Sequence, residues 1–505
     1  MIRVMKMIYI LVDDNRIKTH DPYELVRAFY GNSKINIIGP DSKETLDKLS
    51  ETIHISLQDE VYKVSLLRNN ILVDFEKMSY PGKDFFRGDG ASRNNTVKYL
   101  IYRLLSRNLD TKPPWGILTG IRPVKVAKIL MDKGLSQENI IEVLTDSYLL
   151  SPDKARLIAD VSITQKPILD SLDKNSYSIY IGIPFCPTRC FYCSFPTLIA
   201  DRNNDIMKEY VDSLIEELED TYSMMCNWHP NTVYIGGGTP TSLPKELMSK
   251  LLFHINMRFG GIKELTVEAG RPDTIDREYL ELLKSNRVDR ISINPQTMDD
   301  NTLRIIGRKH SAKDIVEAYR LSKEIGIETV NMDLIVGLPG ENRRSVGETL
   351  KIIGKLEPDN LTVHTLAVKK GSEFILDREK YEITPTVEIQ EMLRMASEFA
   401  KENGMIPYYL YRQKQIMGNF ENIGYSKKDN PSLYNVSIME EKETIIGIGM
   451  GSTSKFYNKL DKTIDTLANF RSIREYMERL SELKSRKRQK INEIEASWSK
   501  LYLDT

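Results

Sequence analysis

Apolar and polar positions alternate in a repeating strand-then-helix pattern between Ser178 and about Gly404. Six short apolar runs predict strands, at Ser178–Ile183, Thr232–Ile235, Leu265–Glu268, Arg290–Asn294, Thr329–Ile335 and Leu361–Ala367. Six longer runs of helical periodicity follow them, at Asp205–Met225, Pro244–Met257, Asp276–Asn286, Ala312–Ile325, Arg343–Leu356 and Val387–Asn403. Such units imply right-handed crossovers and a parallel sheet, and six are fewer than the eight that close a barrel. The pattern predicts an α/β fold, an open or partial (β/α)6 barrel with its chemistry at the carboxyl ends of the strands.

The first 165 residues carry a different mixture of strand and helix patterns. Strands are predicted at Val4–Val12, Lys34–Ile38, Val61–Leu67 and Asn70–Phe75, the last two as a hairpin across Arg68-Asn69. Helices are predicted around Val97–Leu105, Val124–Met131 and Ile140–Leu144. The Pro- and Gly-containing stretch Lys112–Pro123 is interpreted as a structural elbow. We therefore expect residues 1–165 to form an α+β domain, for which the sequence indicates no role.

The segment 405–505 follows the alternating region, which we bound at 178–404. It contains the aromatic run Tyr408–Arg412, a Gly-spaced strand-like run at Ile445–Ser452 and a charged helical tail. The tail includes the basic run Ser485–Lys490. One short basic run on a chain without net charge is typical of a solvated helix face rather than of a nucleic-acid site. We expect a smaller C-terminal domain that ends in this helix.

Overall charge and hydropathy exclude several classes of protein. The 505 residues include 71 basic and 71 acidic side chains, so the formal net charge is zero and no overall field attracts nucleic acid or an anionic membrane. No segment approaches 18 consecutive apolar residues, and the N-terminal apolar run is short and lacks a cleavage site. We expect a cytoplasmic protein with reduced thiols and with no nucleic-acid or membrane partner.

Three of the four cysteines, Cys186, Cys190 and Cys193, form a C-x3-C-x2-C motif directly after the first strand of the alternating region. Clustered thiolates in a reduced compartment indicate a metal site. Structural zinc takes four ligands, and Cys226 is the possible fourth, although a small buried hydrophobe is the simpler interpretation of that residue. A [4Fe–4S] cluster on three thiolates leaves one iron open, which fits the motif better. Aromatic residues that flank the motif are expected to shield a cluster from water: Phe185, Phe191, Tyr192 and Phe195.

A series of motifs follows the predicted strands in the order of the chain. The first is the stretch Tyr180–Cys193, which contains the cysteines, and the later ones are Gly236–Pro240, Val267-Glu268, Gln296, Gly307-Arg308, Met332–Gly340 and Ala367. This set resembles the radical S-adenosylmethionine (SAM) superfamily and, within it, the HemZ-like branch of the oxygen-independent coproporphyrinogen-III oxidase family. The resemblance covers about Ser178 to Ser454.

The resemblance implies a [4Fe–4S] cluster on the three cysteines, with SAM bound to its open iron. It implies cleavage of SAM to methionine and a 5′-deoxyadenosyl radical, which abstracts hydrogen from the substrate. The family's substrate is a tetrapyrrole, coproporphyrinogen III, two propionates of which become vinyl groups in protoporphyrinogen IX. An electron donor such as flavodoxin or ferredoxin is implied as a partner. The positions that match SAM contacts of the family are Tyr180, Tyr192, Gly237, Gly238, Thr239, Glu268, Gln296, Arg308, Asp333 and Ala367.

Two of these side chains have a specific expected role. The Arg308 guanidinium is expected to fork onto the SAM carboxylate, and Asp333 to accept the ribose hydroxyls. His364 is expected near the site, since it lies within the sixth strand. Cations near predicted strand ends are candidates for the propionates of the substrate: Arg189, Arg202, Arg271 and Lys309.

Three positions depart from the pattern of the wider family. Gly182 stands where many relatives carry His, and Phe195 stands where oxidase members carry a further Cys. The stretch Gly418–Tyr425 replaces the His- and Trp-containing element of the haem-chaperone branch. A haem-binding or haem-trafficking protein, another radical SAM tetrapyrrole enzyme such as a methyltransferase, and a non-enzymatic zinc module remain as alternatives.

Overall fold

A computed structural model of the protein describes residues 7–31, 33–40, 42, 50–80, 86, 93–120, 122–173, 175–195, 197–200, 204–367, 371–376, 381, 384–412 and 420–501. Contacts within the chain divide it into two compact units, Met1–Ile163 and Thr164–Thr505. Some predicted features lie outside the described residues. They are the first residues of the strand predicted from Val4, together with Ile121, Arg202, Gly418 and Asn419.

The first unit contains a five-stranded sheet packed with helices. Its elements are β1 (Met7–Val12), α1 (His20–Tyr30), β2 (Ile35–Ile38), β3 (Ser50–Gln58), β4 (Val61–Arg68), β5 (Ile71–Ser79), α2 (Arg93–Asn108), α3 (Val124–Asp132) and α4 (Gln137–Asp146), and α5 (Pro152–Asp170) crosses the boundary. The strand order is β2-β1-β3-β4-β5. The predicted hairpin is β4–β5, and its turn residues Asn69 and Asn70 have φ of 52° and 64°, a left-handed conformation that Asn tolerates.

The second unit is built on an 11-stranded sheet. Its elements are β6 (Ser176–Ile183), β7 (Phe185–Cys186), β8 (Leu198–Ile199), α6 (Asn204–Met224), β9 (His229–Gly237), α7 (Lys245–Phe259), β10 (Glu264–Glu268), α8 (Arg277–Ser285), β11 (Arg290–Ser292), α9 (Asp300–Ile305), α10 (Ala312–Ile325), β12 (Thr329–Val336), α11 (Arg343–Gly354), β13 (Asn360–Thr365), α12 (Glu373–Leu376), α13 (Thr386–Glu402), β14 (Met405–Arg412), β15 (Glu421–Lys427), α14 (Leu433–Glu440), β16 (Thr444–Ile448), β17 (Thr453–Asn458), β18 (Thr463–Ala468), α15 (Ile473–Glu478) and α16 (Leu480–Leu501).

The six predicted strands form the centre of this sheet. They are β6 and β9 to β13, and each pairs in parallel with its neighbour. The two ends of the six-strand row, β6 and β13, are not paired with each other, so the barrel is open. The predicted α/β partial barrel is therefore confirmed.

The segment 405–505, which we expected to form a smaller domain, contributes strands to both edges of the same sheet. β15 pairs antiparallel with β13, and β14 lies beyond it. At the other edge, β16 pairs in parallel with β6 and is followed by β17 and β18. The strand that carries the cysteine loop is therefore paired on both sides.

The helical tail is anchored by a buried ion pair rather than by a fully solvated basic face. The Nζ of Lys487 donates to Glu217 of α6 and to the Gly447 carbonyl, and both charged side chains are at most 1% exposed. Glu217 also accepts the Tyr476 hydroxyl at 2.6 Å and the Gly449 amide at 2.9 Å. The other cations of the run are exposed and pair with acidic groups, as Arg488 does with Asp220.

No helix among the described residues has the length and apolar content needed to cross a membrane.

We expect Lys487→Ala to lower the free energy of unfolding by about 3–5 kcal/mol, because it leaves the Glu217 carboxylate buried without its cation. Denaturant unfolding monitored by circular dichroism measures this loss. Lys484→Ala is the matched control, since its ion pair with Glu216 is solvent-exposed and is worth less than about 1 kcal/mol. Equal stability of the two variants would show that the buried pair does not anchor the tail.

Candidate functional site

A cavity of about 360 Å³ lies at the carboxyl ends of the central strands. Most of the predicted site residues line it: Cys186, Cys190, Tyr192, Cys193, Gly237, Gly238, Thr239, Glu268, Gln296, Arg308 and Asp333. Tyr180 and Ala367 are not among its lining residues. Tyr180 lies behind the wall in an aromatic stack, and Ala367 follows the end of β13.

The three cysteines lie on the loop that follows β6. The loop begins with the short strand β7, and the Cys193 amide donates to the Cys190 carbonyl at 3.0 Å. Burial raises the pKa of the Cys186 thiol to about 11, although the hydroxyl of Thr239 lies 3.5 Å from its Sγ and opposes that rise. The free Cys186 thiol therefore holds its proton at neutral pH, and a metal must displace that proton to bind.

Two glycines form a backbone cradle beside this loop. Gly237 has φ +110°, which only glycine adopts readily, and the Gly238 amide donates to the Ile183 carbonyl at 2.7 Å. A Cβ at Gly238 would lie 2.6 Å from the Phe185 carbonyl oxygen and 3.0 Å from the Sγ of Cys186. Glycine is therefore required where this strand end approaches the cysteine loop.

Arg308 enters the cavity from the segment that follows α9, with a guanidinium that is only partly satisfied. Its Nη1 donates to the carbonyls of Asn294 at 2.5 Å and Gly270 at 3.2 Å, and its Nη2 lies 3.5 Å from the Tyr192 hydroxyl. The Arg308 Nε is buried without a hydrogen-bond partner, as are the side-chain oxygens of Gln296 and Asn294. Buried polar atoms are normally paired, so these three atoms indicate the place of a polar ligand.

The opposite wall carries two carboxyl groups with different pKa values. Burial raises the pKa of Glu268 to about 7, and that carboxyl accepts the Tyr234 hydroxyl at 2.6 Å. Burial also disfavours the charged form of Asp333, but the nearby His364, with its Nε2 3.8 Å from the carboxylate, and a hydrogen bond from Asn331 outweigh it and hold the pKa of Asp333 below its usual value. The two groups therefore differ in protonation near neutral pH.

Aromatic rings surround the site. Tyr234 stacks on Tyr434 with 4.5 Å between ring centroids, and Tyr180 stacks beside both. On the cysteine side, Phe191 is buried against Phe374 at 5.2 Å. Of the residues expected to shield a cluster, Phe195 is 55% exposed, although it lines the cavity.

Several lining residues were not predicted from the sequence. They are Tyr234, Thr266, Gly270, Arg290, Ser292, Asn294, Asn331, Thr362, Tyr408, Tyr409, Tyr411, Ser432 and Asn435. A signal for some of them exists, because polar residues occupy alternate positions of otherwise apolar strands and successive strand residues face opposite sides. The pairs that follow this rule are Thr266 and Glu268, Ser292 and Asn294, Asn331 and Asp333, and Thr362 and His364. Tyr408, Tyr409, Tyr411, Ser432 and Asn435 come from the C-terminal segment, which gave no such signal.

The structure gives each of the described cations that were expected to meet substrate propionates a different environment. Arg189 lines the cavity, is exposed, and donates to the Gly371 carbonyl at 2.8 Å. Arg271 is 2% exposed and is paired with Asp273, so it is not free to meet a substrate. Lys309 is exposed and is not among the lining residues.

The chemistry of these residues fits the cofactors that the motif implies. Three thiols stand beside a glycine cradle, and the cavity supplies an unpaired arginine nitrogen and unpaired amide oxygens for a zwitterionic ligand. Within the described part of the chain, no three His, Cys, Asp or Glu side chains are arranged as a site for a single metal ion.

Comparisons with known proteins agree with this geometry. A profile of the Radical SAM superfamily matches residues 180–353. The chain is 41% identical over 392 residues to the oxygen-independent coproporphyrinogen-III oxidase-like protein HemZ of Bacillus subtilis (strain 168), covering 76% of this chain and 78% of that protein. It is 30% identical over 280 residues to the heme chaperone HemW of the same organism, covering 54% and 70% respectively. The solved structure of coproporphyrinogen III oxidase (HemN) from Escherichia coli has a similar fold, with a TM-score of 0.51 and 22% identity over 64% of this chain and 73% of that one.

The raised pKa of Glu268 predicts a pH-dependent stability. Because the folded pKa of about 7 exceeds the ordinary value of 4.5 for a glutamate carboxyl, the stability that protonated Glu268 retains below pH 4.5 is lost as the pH rises through 7. Over this range we expect the wild type to lose about 3 kcal/mol relative to Glu268→Gln, whose amide does not titrate. Denaturant unfolding of both proteins at several pH values measures the difference. The exposed Glu278→Gln serves as control, and parallel pH profiles for wild type and Glu268→Gln would contradict the raised pKa.

Proposed function

Because this chain belongs to the radical SAM superfamily and, within it, to the HemZ family of oxygen-independent coproporphyrinogen-III oxidase-like proteins, we propose that it decarboxylates coproporphyrinogen III to protoporphyrinogen IX without oxygen. The observation that carries the proposal is one cavity that joins three cysteines, a glycine cradle and the unpaired Nε of Arg308. We further propose that the protein works in the cytoplasm, with flavodoxin or ferredoxin as its electron donor.

The proposal assigns each cofactor to particular residues of this cavity. Cys186, Cys190 and Cys193 would hold a [4Fe–4S] cluster, and Gly237 and Gly238 would let the amino-acid end of SAM approach the backbone. When bound, the reduced cluster and SAM supply the 5′-deoxyadenosyl radical that removes hydrogen from the substrate.

Arg308 is oriented to bind a carboxylate through one edge of its guanidinium. Its Nη1 is occupied by two backbone carbonyls, which fix the plane of the group. The Nε has no hydrogen-bond partner among the described residues, and the Nη2 on the same edge lies 3.5 Å from the Tyr192 hydroxyl, with Cys190 also close to the guanidinium. These two nitrogens match the two oxygens of a carboxylate, so the protein holds its arginine ready for the carboxylate of SAM.

The opposite wall would bind the nucleoside. Asp333 is the ionised carboxylate there and would accept the ribose hydroxyls, while Glu268 retains a proton over part of the neutral pH range. The buried rings of Phe185 and Phe191 exclude water from the cysteine side, which protects a reactive intermediate. Arg189 is the exposed cation of the cavity wall that is best placed to meet a propionate.

Anaerobic turnover with SAM, a reductant and coproporphyrinogen III tests the proposal. We expect 5′-deoxyadenosine together with a product that has lost CO2 and two hydrogen atoms for each propionate converted to a vinyl group. Cys190→Ala should abolish both, because one iron loses its ligand, whereas Cys226→Ala should retain both, because that cysteine is exposed and outside the cavity. Formation of 5′-deoxyadenosine without decarboxylation would refute the oxidase reaction and leave the radical chemistry standing, and a gain of mass would indicate a methyltransferase.

A second candidate, haem trafficking, is favoured by the similarity to the heme chaperone HemW. Within this chain, Gly418–Tyr425 replaces the His- and Trp-containing element expected of that branch, and its described part, Phe420–Tyr425, leads into and forms β15. Anaerobic titration with haem, followed at the Soret band, distinguishes the two functions. Saturable binding at one haem per chain, without turnover of coproporphyrinogen III, would favour trafficking.

We expect Arg308→Ala to weaken SAM binding about a hundredfold, because two charge-assisted hydrogen bonds to the carboxylate are lost. Equilibrium binding of SAM to the reconstituted protein measures the change. Arg304→Ala removes an exposed arginine from the neighbouring helix and should leave the affinity unchanged. An unchanged affinity in Arg308→Ala would refute its assigned role.

A further inference from the structure

A second arginine, Arg271, lies in the segment that follows β10, lines the cavity and contacts the cysteine loop. It is 2% exposed, and its Nη1 donates to the hydroxyl of Thr188 at 3.0 Å and to the Sγ of Cys190 at 3.9 Å. Its Nε and Nη2 donate to the two carboxylate oxygens of Asp273, each at 3.0 Å. The guanidinium is therefore clamped on one edge and presented to sulfur on the other.

The clamp has a further member. The Nδ1 of His310 lies 3.3 Å from Asp273, and the His310 side chain is 1% exposed. Burial disfavours a charged Asp273, but hydrogen bonds from His310 and Arg271 outweigh it and hold the pKa of Asp273 far below its usual value. Arg271 and His310 are buried on either side of the partly exposed Asp273, and this chain of hydrogen bonds ends at Cys190 and fixes the direction in which Arg271 points.

Cys186 and Cys190 consequently have unequal surroundings. Among the hydrogen bonds of the described residues, the Sγ of Cys186 accepts one from the neutral hydroxyl of Thr239, and Arg271 acts on it only through its charge. Cys190 is approached by the Arg271 guanidinium and is also within the electrostatic reach of Arg308. A cation that donates to a ligating sulfur withdraws electron density from it, and such hydrogen bonds and charges set the reduction potential of an iron–sulfur cluster.

We propose that Arg271, held in place by Asp273 and His310, raises the reduction potential of the cluster by donating to the Sγ of Cys190. Arg271 is thus a positioning residue rather than a binder of substrate propionates. This inference rests on the proposed function only in requiring that the three cysteines hold the cluster. By raising the potential, Arg271 makes the cluster easier for the electron donor to reduce. This effect does not depend on which substrate the protein acts on.

A redox titration followed by electron paramagnetic resonance tests the inference, on anaerobically reconstituted full-length protein without SAM. At the midpoint potential of the wild type, we expect Arg271→Gln to show a reduced-to-oxidised ratio about tenfold lower, which corresponds to 59 mV for a one-electron couple. Arg277→Gln is the control, because it removes an exposed arginine from α8 and should leave the ratio unchanged.

Arg271→Lys keeps the charge but cannot serve Asp273 and Cys190 at once, so we expect a midpoint between those of wild type and Arg271→Gln. If Arg271→Gln assembles no cluster, the test uses Arg271→Lys instead, and a midpoint potential below that of the wild type again supports the inference. A loaded variant with the wild-type midpoint would overturn the inference and leave the proposed function intact. A wild-type chain that binds neither iron nor sulfide would overturn both.

Discussion

The parallel pairing of the six central strands is the constraint on which the site depends. It aligns their carboxyl ends at one edge of the sheet, so residues that are far apart in the chain meet there. The register places Glu268 of β10 beside Ser292 of β11, and Asp333 of β12 beside Thr362 of β13. Apolar neighbours along the strands, such as Val267 and Ile291, are fully buried and hold the strands in position. A slip of one residue would turn the polar side chains away from the cavity.

The site balances charge locally, which explains how a chain without net charge can bind charged cofactors. Arg271 is neutralised by Asp273 and remains fixed, whereas Arg308 is held by two backbone carbonyls and lies near the Tyr192 hydroxyl, and it keeps its charge for a ligand. Burial raises the pKa of Glu268, whereas the partners of Asp333 hold the pKa of that carboxyl below its usual value. The charge state of each of these groups is thus set by its immediate neighbours and not by the net charge of the chain.

Local signals in the sequence were sufficient for the central strands and helices but not for pairing across long distances. The predicted helix Ala312–Ile325 has the bounds of α10, because Ser311 and Asp314 form a capping box and Gly326 ends the helix with φ +87°. That the motif residues lie together in one site could be predicted, because each follows a strand and parallel strands end at the same edge of the sheet. The pairing of β15 and β16 with the central strands, the cavity tyrosines of the C-terminal segment and the burial of Lys487 depend on contacts with distant segments. No local pattern encodes such contacts, so they were missed.

The pairing of β6 with β16 has a consequence for the order of assembly. β6 leads into the cysteine loop, yet one of its two partner strands is β16, and Ser178 is hydrogen-bonded to Glu443 across 265 positions. During synthesis the ribosome releases the cysteines long before this partner exists. The loop therefore reaches its final support only after β16 has emerged, and a cluster on the fully supported loop would form after that point of synthesis.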